Sequence, residues 1–286
     1  MAEISASVVM KLRKLSGQGM MDCKKALEET GGDMDKALDL LRKKGLATLA
    51  KRADKETSEG RVVRAVSADG KTVALATLCC ETDFVANNDD FKAACETLTQ
   101  CALTVSADQG AEALMECVCD GKKFSDLMTE LVSKTGEKTQ VGDYIRYRLA
   151  GDGIIGSYVH FNSKVATMLE IEASSDAVAK ALGVIANEIA MHITAINPVA
   201  LDRSSVDPAV VAREREIAAD QVKDKPANMV DKIVDGKMAK FFKDNCLVDQ
   251  PFVKDDSKTV TEALNDAAKA AGGTAKIKRF VRFEIG

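Results

Sequence analysis

The chain has 286 residues, enough for roughly two ordinary domains and for a core that holds without staples. Its 40 Lys and Arg against 44 Asp and Glu leave a net charge of −4, so no global positive field exists to condense on a phosphate backbone, and direct nucleic-acid binding is disfavoured. Only two histidines, His160 and His192, and no tryptophan occur, which excludes multi-histidine metal chemistry.

Residues 1–55 read as a compact three-helix unit. Val8, Val9, Leu12 and Leu15 recur at helical spacing behind a Ser5 or Ser7 cap, and Gly17 stops the run. A second helix runs from Met20 through Leu27 to Gly31-Gly32. A third starts at the cap Asp33, places Met34, Ala37, Leu38 and Leu41 on one face, and ends before Gly45. The polar stretch Lys51 to Gly60 reads as a linker.

The period then switches to that of strands. Val62 to Val66 and Thr72 to Leu78 flank a turn at Asp69-Gly70, and a helix from about Asp89 to Thr104 follows. Between Thr104 and Gly151 only a strand-like run just before Gly151 is assigned. The hairpin-then-helix order then recurs: Ile154 to Phe161, a turn at Asn162-Ser163, Val165 to Ile171, and a helix from about Asp176 to Thr194. Lys71, Val73-Ala74 and Glu81 match Lys164, Val165-Ala166 and Glu172 in the two copies, which predicts a duplicated unit.

Asp207-Pro208 is a cap followed by proline at the first helical position. Two helices joined at Asp224-Lys225-Pro226 predict an antiparallel helical hairpin with arms of roughly 25 Å, projecting from the core. Thr259 to Ala271 is a last helix, and Ala275 to Ile285 a closing strand with clear alternation. The expected class is α+β: a three-helix module at 1–55, a core half at 56–140, and a second half at 141–286 with the hairpin 207–244 inserted in it.

Eight cysteines in a chain of this length, with no basic-then-apolar leader, read as reduced and mostly buried thiols of a soluble, cytoplasmic protein. No apolar run reaches the roughly 18 residues of a membrane span. Cys79-Cys80 and Cys117-x-Cys119 lack the paired C-x-x-C spacing of zinc knuckles, so no metal and no cofactor are expected. Gly151-Asp152-Gly153-Ile154-Ile155-Gly156 is a literal G-x-G-x-x-G, but its third glycine is followed by Ser157-Tyr158-Val159-His160-Phe161, a strand where a phosphate-binding helix would have to begin. Gly70-Lys71-Thr72 has Ala65 where a phosphate loop needs its leading glycine. With two histidines on separate elements, nucleophilic catalysis has no triad to build on.

Glu81-Thr82-Asp83-Phe84-Val85-Ala86 resists such bland readings. It puts Phe84 in a polar turn just beyond a strand end, beside a carboxylate, whereas the second copy has Ala173-Ser174-Ser175-Asp176 and no aromatic. A duplicated scaffold keeps its shared packing residues in both copies, so a feature present in one copy is a candidate for function, against the alternative that Phe84 tucks under its own helix.

The run Leu15-Ser16-Gly17-Gln18-Gly19-Met20-Met21-Asp22-Cys23-Lys24-Lys25-Ala26-Leu27, followed later by Glu81-Thr82-Asp83-Phe84-Val85-Ala86, resembles the two signatures of the bacterial elongation factor Ts family. The resemblance continues through Gly156-Ser157-Tyr158, Ala190-Met191-His192, Lys225-Pro226, Gly236-Lys237-Met238 and Gln250-Pro251-Phe252-Val253, with Ser16 and Gln18 standing where Thr and Ala are usual. It implies a guanine-nucleotide exchange factor, without covalent catalysis, for the GTPase elongation factor Tu. Thr82, Asp83, Phe84 and Val85 would be the motif that disturbs the GTPase's Mg²⁺ site, and Leu12, Met20, Met21 and His192 partner-binding residues. The 1–55 unit resembles a ubiquitin-associated module, so a docking protein without exchange activity is the competing reading. The sequence leaves open the choice between a monomer and a homodimer or 2:2 complex with the GTPase.

Overall fold

The computed structural model describes residues 4–223 and 225–286; Asp224, assigned above to the hairpin connection, and the first three residues lie outside that range. α1 (Ala6–Ser16), α2 (Met20–Glu29) and α3 (Met34–Lys51) enclose a small core of Val9, Leu12, Cys23, Ala26, Leu27, Ala37 and Leu41.

The next segment builds a sheet and its helical cover: β1 (Glu59–Val66), β2 (Thr72–Cys80), α4 (Asp83–Ala86), α5 (Asp89–Thr104), α6 (Ala111–Met115), the short hairpin β3 (Val118–Cys119) and β4 (Lys122–Lys123), α7 (Phe124–Thr135) and β5 (Thr139–Arg148). The sheet is antiparallel in the order β1-β2-β5. α5 starts where Asn88 Oδ1 accepts from the Asp90 N–H at 2.8 Å, and its buried stripe of Phe91, Ala94, Cys95, Leu98, Cys101 and Ala102 lies on β1 and β2. The boundary expected at 140/141 falls inside β5, which pairs with β2 and so completes the first sheet. Local pattern does not reveal this, because the partner strand is some seventy residues earlier in the chain.

α7 has a second role. α3 does not stop before Gly45 but continues to Lys51, with its flank against α7. A Cβ on Gly45 would stand 2.8 Å from both Ser133 Cβ and the Thr129 carbonyl oxygen, so glycine here permits close helix packing instead of ending a helix. Arg42 pairs with Asp126 across the same seam. The linker is also tied down, since Lys138 Nζ donates to the Ala53 and Lys55 carbonyls at 2.7 and 2.9 Å.

The second sheet repeats the plan. β6 (Gly153–Val159) and β7 (Val165–Ala173) are followed by α8 (Asp176–Ala181) and α9 (Gly183–Ile196), so the single helix expected from Asp176 to Thr194 is broken at Leu182-Gly183. α10 (Pro208–Asp220), with the turn after it, and α11 (Ala227–Asn245) pack on each other through Ala218, Val222, Val234 and Met238. At 1.5 Å per residue they are about 20 and 28 Å long. The two helices leave and rejoin the second half at one point, where the Leu247 N–H donates to the Ala200 carbonyl at 2.9 Å. Then come β8 (Pro251–Phe252), β9 (Asp255–Thr259), α12 (Val260–Ala270), opened by a Thr259/Glu262 capping box, and β10 (Ala275–Glu284), which pairs with β7 to give the order β10-β7-β6.

β2 and β7 are the central strands, and both are buried along nearly their whole length. The reason is that each sheet has helices on one face and the other sheet on its opposite face. Ala74, Ala76 and Leu78 meet α5, and Leu169 and Ile171 meet α9 and α12. Val62, Val73, Leu75 and Tyr147 meet Ile155, Ala166, Met168 and Ile285 between the sheets. The seam carries one buried carboxylate, Glu170, which accepts from Lys278 Nζ at 3.1 Å and Arg279 Nε at 2.7 Å. The Arg279 guanidinium in turn lies 3.9 Å from the centre of the Tyr147 ring.

Candidate functional site

The segment after β2 is a single helical turn on a fixed base. Thr82, in extended conformation, accepts from the Val85 N–H at 3.4 Å as the cap of α4. Its own N–H and hydroxyl donate to Glu137 at 3.1 and 2.7 Å. Beside it, Glu81 receives Arg52 at 2.8 and 2.7 Å and the Lys138 N–H at 2.6 Å. Burial works to raise the Glu81 carboxyl, but these two donors outweigh it and hold the group below the usual carboxylate range. Val85 and Ala86 are buried in the first-sheet core, and the Asn87 side-chain amide donates back to the Asp83 carbonyl at 2.9 Å.

Phe84 is thereby turned outward with 83% of its surface exposed, next to the exposed carboxylate Asp83. It does not tuck under its own helix. The equivalent turn of the second half is built alike, Ser175 Oγ accepting from the Val178 N–H at 3.3 Å ahead of Asp176. That turn carries Ala177 where the first has Phe84. The cap and the acid are thus shared scaffold, and the aromatic is the difference.

In the three-helix unit Met20 and Met21 are 38% and 61% exposed at the start of α2, and Met10 and Leu15 on α1 are open as well. Two other predicted contacts are corrected. Leu12 is fully buried in the core of that unit, on the inner face of α1, and has no surface to offer a partner. His192 is also fully buried: its Nδ1 accepts from the Val253 N–H at 3.2 Å and its Nε2 lies 2.9 Å from Gln250 Oε1. With Nδ1 an acceptor, Nε2 carries the proton, and the ring holds the Gln250 to Val253 loop from within. Val253 itself is exposed, so a surface exists there, but His192 only positions it.

Burial pushes the His192 imidazole below its ordinary range, against the Gln250 hydrogen bond, which raises it. The unfolded chain therefore takes up a proton before the folded one does as pH falls, and stability drops below the unfolded value of about 6.5. The unfolding free energy from urea titrations should fall from about pH 7.5 to about pH 5.5 by no more than one proton's worth, about 1.4 kcal/mol per pH unit. His192→Gln should flatten that dependence; an equally steep profile in the variant would assign the acid sensitivity elsewhere.

Phe161, at the β6–β7 turn, is 87% exposed, a candidate that sequence reading passed over as a strand end. Its ring centre lies 4.4 Å from that of His160, whose Nδ1 is 3.2 Å from the Tyr158 hydroxyl. The G-x-G-x-x-G also has a structural explanation: Gly156 lies inside β6, and a Cβ there would sit 2.5 Å from the Ala186 carbonyl oxygen of α9. The glycine lets α9 pack on the strand and opens no phosphate cradle. No helix among the described residues is long and apolar enough to cross a membrane.

Comparison with known proteins bears on this arrangement. Residues 81–286 match the family model described as Elongation factor TS. Across nearly the whole chain the sequence is 42% identical to the elongation factor Ts of a Nitratiruptor species, over 285 residues covering 99% of this chain and 93% of the relative. It is 43% identical to that of Nitratidesulfovibrio vulgaris over 288 residues, 99% and 96% of the two chains. It is 41% identical to that of Desulfovibrio desulfuricans over 292 residues, 100% and 99%.

Proposed function

The chain belongs to the elongation factor Ts family, and from that premise we propose that it binds the GTPase elongation factor Tu in its GDP form and promotes GDP release, so that GTP can rebind. It does this without covalent chemistry. The observation that carries the reading is Phe84, an exposed aromatic on a capped and anchored turn that its duplicated counterpart lacks. A preorganised aromatic loses little conformational freedom on insertion, so most of its burial energy is available to reshape what it enters.

The target is the partner's Mg²⁺ and nucleotide site. Mg²⁺ in such sites bridges phosphate oxygens and is held by few protein ligands, so Phe84 and Asp83 entering beside it weaken GDP binding by moving those ligands. Thr82 and Val85 do not touch the nucleotide; they keep the turn in shape. The coupling is reciprocal, so GDP must weaken this chain's hold on the GTPase by the factor by which the chain weakens GDP. Met20 and Met21, flexible and exposed, supply an adaptable contact for the three-helix unit.

The test is stopped-flow release of a fluorescent GDP from elongation factor Tu. Addition of this chain should speed release with saturable concentration dependence, and excess GDP should dissociate the complex. Binding with no acceleration would overturn exchange in favour of a docking protein that uses the three-helix unit.

A further inference from the structure

Three thiols from two different segments converge at the C-terminal turn of α5. Cys101 projects from that helix and is fully buried. Cys117 just precedes β3 and Cys119 ends it, on either side of Val118 and ahead of the Asp120-Gly121 turn, and alternate residues of an extended segment face the same way. Cys101 Sγ and Cys119 Sγ are 3.2 Å apart, Cys117 Sγ and Cys119 Sγ 3.7 Å, and all three sulfurs lie within 4.8 Å of one another. All are free thiols.

Thiolates about 2.3 Å from a shared zinc-class ion stand about 3.8–4.0 Å apart in tetrahedral or trigonal geometry. The pairs at 3.2 and 3.7 Å fall short of that separation and the third lies within 4.8 Å, so small rotations of the cysteine side chains bring the three sulfurs to it. Leu98, Leu114, Phe124 and Met128 pack in the same core, so the site is walled by apolar groups. Cys119 is only half-buried, and a surface cleft lined by Thr104, Val105, Ala113, Glu116 and Cys117 reaches the site at Cys117, leaving a way in for an ion. The Thr104 hydroxyl lies 3.6 Å from Cys117 Sγ. The reading from spacing alone, that Cys117-x-Cys119 carries no metal, lacked the third ligand, which the helix brings in.

We propose that Cys101, Cys117 and Cys119 form a three-thiolate site for a soft, filled-shell metal ion of the zinc, cadmium or copper(I) class. Binding replaces three thiol protons, which leave to solvent, with three metal–sulfur bonds and involves no change of oxidation state. The bound ion clips the end of α5 to the β3–β4 hairpin and so stabilises the folded chain.

The full-length, reduced and chelator-treated protein is titrated with Cd²⁺ under anaerobic conditions. A thiolate-to-metal ultraviolet band should saturate at one equivalent while three thiols lose reactivity toward alkylation. Cys101→Ser and Cys119→Ser should each weaken binding by more than the roughly 10–100-fold that losing a mere supporting residue costs, and Cys79→Ser should leave it unchanged. Zn²⁺ should raise the wild-type Tm, a readout that needs no variant to fold. Absence of the band at one equivalent, an undiminished band in Cys101→Ser, or a reduced wild type that refuses Cd²⁺ yet oxidises to a Cys101–Cys119 disulfide would each overturn the proposal.

Discussion

Replacing Phe84 by alanine is expected to cut the acceleration of GDP release from elongation factor Tu by about tenfold or more, while the fold stays intact and complex formation is largely kept. In the proposed mechanism the burial energy of Phe84 goes into weakening GDP binding instead of into net affinity, so truncation removes it from the exchange step, and 1.4 kcal/mol is a factor of ten. The exposure of Phe84 means that no core contact is lost with it, so stability should change by no more than about 0.5 kcal/mol. The turn itself persists, since Thr82, Glu137, Val85 and Ala86 are untouched. Asp83→Ala should slow release in the same direction. Phe161→Ala, which removes an equally exposed ring from a different turn, is the comparison that separates a specific wedge from general loss of apolar surface. An unchanged release rate in both Phe84→Ala and Asp83→Ala would remove the wedge from the mechanism.

Arg146→Ala should cost on the order of 3 kcal/mol of stability, the largest loss expected of any single polar side chain here. The Arg146 side chain is wholly buried on β5, and its guanidinium does the work of a cap for α5. It donates to the carbonyls of Ala102 and Leu103 at 3.2 and 3.0 Å, of Ser106 and Ala107 at 3.4 and 2.8 Å, and to Asp108 at 2.8 Å. The Ala102 and Leu103 carbonyls belong to the last turn of α5 and have no partner further along the helix. A cation at that end also meets the negative pole of the helix dipole. The Arg146 hydrogen bond in turn holds the Asp108 carboxyl below its usual range. Alanine would strand the Leu103 and Ser106 carbonyls and leave a cavity, while the Tyr144 hydroxyl, 2.9 and 3.2 Å from the Ala102 and Ala107 carbonyls, would still serve one of those two. Lysine would keep the charge but lose the planar fork, and should fall between the two. Urea unfolding followed by circular dichroism measures this; a loss under about 1 kcal/mol in Arg146→Ala would mean that the loop finds other donors.

Legibility from sequence followed the range of the interaction concerned. α5, α12 and both hairpins stand where caps, turns and periodicity put them, because those signals act over a few residues. The asymmetry between the Thr82 and Ser175 turns was visible once the duplication was seen, and it singled out Phe84 without any knowledge of its exposure. Residues 105–150 read only as a strand-like run before Gly151, which is β5; the apolar period of Phe124, Met128, Leu131 and Val132 and the stop at Gly136 do mark α7, but that α7 packs on α3 and β5 on β2 is not a local property. Arg146 went unread for the same reason, since an arginine in a strand gives no sign that five acceptors wait forty residues upstream.

By itself the sequence determined the α+β class, the repeated hairpin-and-helix order, the family and the motif at Thr82 to Val85, all of them properties of spacing and residue type. Tertiary structure alone decided which side chains have a surface to use. Leu12 and His192 turned inward and Phe84 outward, and Gly45 and Gly156 proved to be points of close helix approach, neither stop signal nor phosphate loop. It also gathered Cys101, Cys117 and Cys119 at one point. Burial and convergence depend on which elements pack against which, and that pairing is settled by contacts between residues far apart in the chain, which no window of sequence contains.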